Sequence, residues 1–292
     1  MEPNFQTAAI EEAASHIRAC WQSAPRVGVI LGSGLGGFAD QIAVETAIPY
    51  GGIPHFPQST AVGHRGQLVC GTLAGAAVIA MQGRCHAYEG YTAAQITLPV
   101  RVMHALGVEL LIVSNASGGM NPRYRRGDIV VIDDHINLMF RSPLVGPHNP
   151  PWGDRFPDMS CPYDRQLNDR ALAIARRENF AAHRGVYVGV TGPNLETRAE
   201  YRFYRRVGGD VIGMSTVPEV IVAAQLGLRV LGLATVTNVC LPDALGRATA
   251  HEIIDVAASA EPRLRKIVAE IVGEFAAEAP SREVVTTTGP GL

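Results

Sequence analysis

The stretch VGVILGSGLGG, residues 27–37, decides how the chain is read. Its first five residues are a β-rich apolar run, and they pass directly into a glycine-rich turn that carries one hydroxyl, Ser33. The same arrangement recurs outward along the chain. A run at 75–81 leads into QGRCHAYEG (82–90), one at 108–114 into NASGG (115–119), and one at 186–190 into TGPNLET (191–197). Shorter versions end at MST (214–216), after a run at 210–213, and at Asn238, after a run at 230–237. A further strand is expected at 129–132. Helical stretches alternate with these runs at 7–21, 93–106, 165–178, 198–206, 217–226 and 250–278. That alternation indicates an α/β fold with a largely parallel sheet. No internal repeat or Gly/Ser linker divides the chain, so it reads as a single domain over 1–283, followed by a frayed tail at 284–292.

Composition excludes several classes of function. The 292 residues are 47% hydrophobic and 18% charged, ample for a sizeable core. A net charge of −2 provides no basic field for a nucleic-acid backbone. No apolar run approaches the roughly 18 residues a membrane span needs. The first residues lack the basic segment of a secretory signal and soon meet Glu11 and Glu12, so a cytoplasmic location is expected. Cys20, Cys70, Cys85, Cys161 and Cys240 include no C-x-x-C pair, which suits reduced, mostly buried thiols better than disulfides or zinc. The single lysine, Lys266, stands outside any G-x-x-x-x-G-K loop, so arginine must supply the cationic chemistry.

Ligands of open α/β sheets bind beyond the carboxyl ends of the strands, where the polar and glycine-rich segments lie. Three helices open there on the Ser/Thr-x-x-Glu spacing of a capping box, at Thr197–Glu200, Thr216–Glu219 and Thr249–Glu252. Ser215 then stands just before a helix start, where an anion is favoured, and His251 in a first turn, where a neutral imidazole is favoured. Gly32, Gly34 and Gly37 match the dinucleotide spacing, but residues 50–60 contain neither the second strand nor the acidic residue that a dinucleotide site requires. What remains is a backbone cradle for a phosphate, helped by the Ser33 hydroxyl. Arg84 and His86 add a permanent cation and a donor, and His64 is a second histidine candidate. Ser33, Arg84, His86 and Ser215 together describe a phosphate-sized oxyanion site without a metal. Asp133-Asp134-His135 comes nearest to a metal-binding cluster but lacks ligand spacing. Residues 141–157 hold five prolines with Trp152 and Phe156 and no periodicity, which marks a loop that is either functional or disordered, the aromatics favouring function.

At this point the chain closely resembles the trimeric purine nucleoside phosphorylases that act on 6-oxopurine nucleosides. The resemblance is carried in order by LGSGLGG (31–37), GHRGQLV (63–69), MQGRCHAYEGY (81–91), SNASGGMN (114–121), DHINL (134–138), DRFPDMS (154–160), GPNLETRAE (192–200), GMSTVPEV (213–220) and VTN (236–238). It implies a three-layer α/β/α domain around a mixed, largely parallel sheet. The implied reaction is reversible phosphorolysis, in which inorganic phosphate, a co-substrate rather than a cofactor, displaces the purine from C1′ of a ribonucleoside or deoxyribonucleoside. Phosphate would be held by Ser33, His64, Arg84, His86, the Ala116 backbone and Ser215, and the sugar by Tyr88, Met214 and His251. The purine would meet Leu195, Glu196, Ile212 and Asn238, while Phe156 would reach a neighbouring subunit's site in a homotrimer. Glu196, Asn238 and His86 are the residues implied to carry the chemistry. The chain departs from the family at Leu195, usually aromatic, and at Val239, a lysine in mammalian-type members. The stretch 240–247 does not align and leaves room for a broader xanthosine and inosine specificity. A phosphate-independent nucleoside hydrolase is the other alternative.

Overall fold

The computed structural model describes residues 3–33, 36–244, 246 and 248–278. The expected tail at 284–292 and Gly34 of the glycine turn lie outside the described residues. The strands are β1 (Val27–Leu31), β2 (Ala43–Pro49), β3 (Gln67–Leu73), β4 (Ala76–Gln82), β5 (Leu110–Gly119), β6 (Ile129–Asn137), β7 (Ala182–Gly189), β8 (Val211–Gly213) and β9 (Arg229–Val239). The helices are α1 (Pro3–Cys20), α2 (Ala93–Ala105), α3 (Arg165–Arg177), α4 (Arg198–Arg206), α5 (Val217–Gln225) and α6 (Ala250–Ala277). All strands join one mixed sheet in the order β2-β3-β4-β1-β5-β8-β7-β6-β9. β5 also pairs with β9, so β5, β8, β7, β6 and β9 close into a ring. β1–β4, β1–β5, β5–β9, β6–β7 and β7–β8 are parallel; β2–β3, β3–β4, β5–β8 and β6–β9 are antiparallel.

The three layers follow from the two-residue period of the central strands. Ile30, Leu111 and Val113 point to the side covered by α1, α2 and α5. Their neighbours Val29, Leu31, Leu110 and Ile112 point to the side covered by α3 and α6. Every residue of β1 is buried, as a strand covered on both faces must be. Among the described residues no helix is long and apolar enough to cross a membrane.

The structure corrects the reading of the sequence in three places. β2 and β3 were not expected. β2 is exposed along most of its length and ends in Pro49, as an edge strand can, so it lacks an apolar signature. β3 contains Gly71, where an added Cβ would sit 2.2 Å from the Ala43 carbonyl oxygen, so close approach of β2 excludes a β-former there. The expected turn at 115–119 is instead the end of β5, because β8 and β9 pair with those residues on either side.

Gly32, the first residue after β1, packs against β5. A Cβ there would lie 2.8 Å from both Asn115 Cα and the Ser114 carbonyl oxygen. Gly32→Ala is therefore expected to cost about 1–3 kcal/mol by overpacking against backbone that cannot yield. The loss is read as a lower urea midpoint at unchanged slope, and an unchanged midpoint contradicts the close approach.

Candidate active site

The carboxyl ends of β1, β4, β5, β8 and β9 surround a cavity of about 540 Å³. Ser33, Arg84, His86, Tyr88, Ala116, Leu195, Glu196, Ile212, Met214, Ser215 and Asn238 all line it. The cavity brings together a cationic cluster around Arg84 and a second group that includes Glu196 and Asn238.

At the cationic end Arg84 is only 1% exposed. Its Nη1 donates to Thr216 Oγ1 at 3.2 Å and to Glu219 Oε1 at 3.3 Å. Nη2 donates to the Ile30 carbonyl at 3.3 Å and, more closely, to that of Ser114. Among the described residues, Arg84 Nε and Glu219 Oε2 are buried without a partner. The expected capping box at Thr216 is absent because the guanidinium has claimed both of its side chains. Thr216 makes no cap hydrogen bond, accepts instead from Arg84 and from Asn115 Nδ2 at 2.9 Å, and leaves Glu219 to Arg84. A buried cation needs acceptors more than a helix end does. The backbone at Thr216 has φ 70° and ψ −52°, and the Val217 amide donates to the Ser215 carbonyl at 2.7 Å. This is the strained γ-turn, rare for a β-branched residue, and it sets Ser215 at the cavity wall. The capping boxes at Thr197 and Thr249 are formed as expected.

His86 is oriented from behind. Its Nδ1 donates to Glu89 Oε1 at 2.9 Å, which leaves Nε2 free of that bond. Glu89 also accepts from the His86 amide at 2.7 Å and from the amide and hydroxyl of Thr60, both at 2.6 Å. Burial alone would raise its carboxyl, but these bonds outweigh it and hold the pKa down to about 2. The His86 ring stacks on Tyr88 at 4.7 Å and on His64 at 5.4 Å.

His64 does not line the cavity. It stands behind Ser33, with Nε2 at 3.1 Å from the Ser33 oxygen and Nδ1 at 3.0 Å from that of Ser59. Burial, together with neighbouring His86, lowers its pKa to about 4, so the ring is neutral at pH 7 and works as a hydrogen-bonding group.

Elsewhere the cavity is lined by Gly118, Glu196, Ile212 and Asn238, with Gly118 packed against Ile212, Asn238 and Cys240. Burial pushes the Glu196 carboxyl up, partly offset by a hydrogen bond from Tyr201. Asn238 Oδ1 accepts from Thr237 Oγ1 at 3.1 Å, and its Nδ2 donates to Cys240 Sγ at 3.1 Å. Leu195, 45% exposed, stands at the mouth.

Two expected residues lie elsewhere. The His251 side chain is 88% exposed, with Nε2 at 3.5 Å from Asp255, and α6 presents Ala250, Ile253 and Ile254 to the cavity in its place. Phe156 is 87% exposed and has the Arg155 guanidinium over its ring. Asp133 pairs with Arg184, and His135 hydrogen bonds to Tyr163. Among the described residues, no three His, Cys, Asp or Glu side chains converge as a metal site. The residues missed were Thr60, Glu89, Asn115, Thr216, Glu219, Tyr201 and Cys240. Glu89, Asn115, Thr216 and Glu219 sit within the quoted motifs and were findable there; Thr60, Tyr201 and Cys240 are brought to the site by the fold alone.

The Phosphorylase superfamily matches this chain over residues 26–273. Purine nucleoside phosphorylase 1 of Bacillus subtilis (strain 168) is 50% identical over 91% of this chain and 98% of its own. The purine nucleoside phosphorylase of Mus musculus is 44% identical over 92% of this chain and 95% of its own. Among solved structures, isoform 2 of purine nucleoside phosphorylase from Schistosoma mansoni, in complex with cytosine and ribose-1-phosphate, superposes with a TM-score of 0.88 at 39% identity, covering 93% of this chain and 98% of that one. A Schistosoma mansoni purine nucleoside phosphorylase in complex with inosine gives 0.87 at 39% identity, covering 91% and 96%. With the superfamily matched across most of its length and such relatives aligned nearly end to end, the chain belongs to the purine nucleoside phosphorylases, a family of pentosyltransferases.

Proposed function

We propose that the cavity carries out reversible phosphorolysis of 6-oxopurine ribo- and deoxyribonucleosides. The observation that carries this reading is the bare Nε of Arg84, a buried cationic donor without an acceptor among the described residues. An unsatisfied buried donor costs about 1–3 kcal/mol, which an oxyanion would relieve. Ser33, His86 and Ser215 share the cavity wall with it, and the Ala116 backbone lies on the same strand end. His64 acts here through Ser33 rather than on phosphate directly.

Phosphate beneath the sugar stabilises positive charge at C1′ as the glycosidic bond breaks, then bonds to C1′ while the electron pair leaves on the purine nitrogen. Preorganised charge of this kind is commonly the largest catalytic contribution. Tyr88 and Met214 flank the sugar. Glu196 accepts from N1–H of a 6-oxopurine, and Asn238 stabilises the charge gathering on the leaving base. Adenine lacks that proton and would leave a buried acceptor unpaired, a penalty of about 1–3 kcal/mol. The exposed His251 lends no support to the 5′-hydroxyl contact expected of it.

In this reading phosphate is a co-substrate and no cofactor is needed. A homotrimer belongs to the same proposal, supported by Phe140, Val145 and Phe156 standing 83–89% exposed around one loop. The five unpaired thiols support a cytoplasmic location.

Release of hypoxanthine from inosine is expected to require phosphate and to yield ribose 1-phosphate; equal release without phosphate makes the protein a hydrolase. The same assay with guanosine, xanthosine and adenosine sets the base preference, with adenosine expected last. Asn238→Ala should lower kcat on inosine by roughly 100-fold or more, as removal of other oxyanion donors does, with little change in the KM for phosphate; an unchanged kcat removes Asn238 from the mechanism. Asn238→Asp should shift preference towards adenosine. Glu196 must be ionised to accept N1–H, and burial raises its pKa, so kcat/KM for inosine should fall on the acid side along a limb above the ordinary carboxylate range. Glu196→Gln should lose that limb and keep only the one set by the ionisation of phosphate, which both profiles share; a variant that retains every acid limb of the wild type contradicts the assignment.

A further inference from the structure

The two residues assigned to the purine are not independent of each other. Asn238 is the penultimate residue of β9, and Cys240 follows one step beyond the strand, held in register by its amide donating to the Gly119 carbonyl at 2.7 Å. Residues two apart on an extended chain face the same way, and Asn238 Nδ2 meets Cys240 Sγ at 3.1 Å. Cys240 is fully buried. Its sulfur has room only because residue 118 is glycine: a Cβ there would lie 2.6 Å from Sγ. Cys240 also packs in one buried cluster with Tyr201, which is 2% exposed and lines the cavity together with Glu196 and Asn238, with the phenol near enough to influence the ionisation of both the thiol and the Glu196 carboxylate.

We propose that Cys240 and Tyr201 are positioning residues that join Asn238 and Glu196 into one hydrogen-bonded unit and so fix how both face the purine. The proposal rests on the purine reading of this cavity. The direction of the bonds follows from the donors available. An ionised carboxylate only accepts, so the single Tyr201 proton goes to Glu196. The phenol oxygen then accepts the Cys240 S–H, and the sulfur accepts from the Asn238 amide. A sulfur that has given its proton to the phenol can only accept, so Nδ2 rather than Oδ1 faces it, and one N–H remains for the base; Oδ1 lies beside Thr237 Oγ1, whose single proton it shares with the Ser117 carbonyl. The phenol is pushed well above its ordinary pKa and the thiol up to about 11, both chiefly by burial, so both keep the protons this arrangement needs. The titratable groups around Glu196 are Glu200, Tyr201 and Tyr204 of α4 and Cys240 after β9. Of these, Tyr201 favours the carboxylate and Glu200 opposes it.

The test compares the full-length wild type with Cys240→Ala, Cys240→Ser and Tyr201→Phe on inosine and phosphate. Cys240→Ala should lower kcat about 3- to 10-fold, the worth of one neutral hydrogen bond, with the KM for phosphate unchanged. Cys240→Ser, which retains a donor and an acceptor, should recover most of that loss. Tyr201→Phe removes the bond that favours the Glu196 carboxylate and should move the acid limb of kcat/KM to higher pH. Full activity in Cys240→Ala, equal losses in Ala and Ser, or an unmoved acid limb in Tyr201→Phe overturns the proposal. Thermal melting of each variant separates loss of folding from loss of positioning: a folded Ala variant with full kcat counts against the unit. If the wild type itself does not cleave inosine with phosphate, the purine reading fails first, and that result is distinct from a wild type that turns over while its variants match it.

Discussion

The site depends on keeping one guanidinium out of water. Arg84 is almost wholly buried, and a buried charge without partners is too costly for a folded chain to tolerate. Its acceptors come from the end of β1, the middle of β5 and the start of α5, so the same bonds that neutralise the cation tie those elements together. Glu219 supplies the countercharge from within the first turn of α5. Such pairs add little to stability against an apolar alternative, but losing one partner leaves the other stranded. Here the arrangement holds a cation rigidly at the cavity wall, with Nε left without an acceptor among the described residues.

That constraint explains departures from local rules. Thr216 and Glu219 have the spacing of a helix cap, yet both turn to Arg84, and the backbone at Thr216 takes up a strained γ-turn as a result. Local strain of this kind persists only where the surroundings over-determine it. The cationic end is also less positive than its residues suggest, since Arg84 pairs with Glu219 and His86 with Glu89. In the proposed reading, selectivity for an oxyanion then comes from the directions of the N–H and O–H donors more than from net charge.

Much of this was legible in the sequence. Ser33, Arg84, His86, Ser215 and Asn238 each follow an apolar run that becomes a strand, and a parallel arrangement sends such positions to one edge. The helices were readable from caps and periodicity. β2 and β3 were not, because an exposed edge strand and a strand interrupted by Gly71 carry no clean alternation. Tyr201 and Cys240 were invisible for a different reason: they meet only because Tyr201 of α4 packs into a small buried cluster with Ile212 of β8 and Cys240, which no local pattern encodes. His251 was placed by resemblance alone and its side chain points away from the cavity, whereas the exposure of Phe156 accords with the neighbouring-subunit contact the resemblance implies.

The most direct test of the account is a crystal structure of the protein grown with inorganic phosphate. The account predicts the ion enclosed by Ser33, His86 and Ser215, with one oxygen within hydrogen-bond reach of Arg84 Nε. Phosphate bound elsewhere, with that nitrogen still bare, would contradict it.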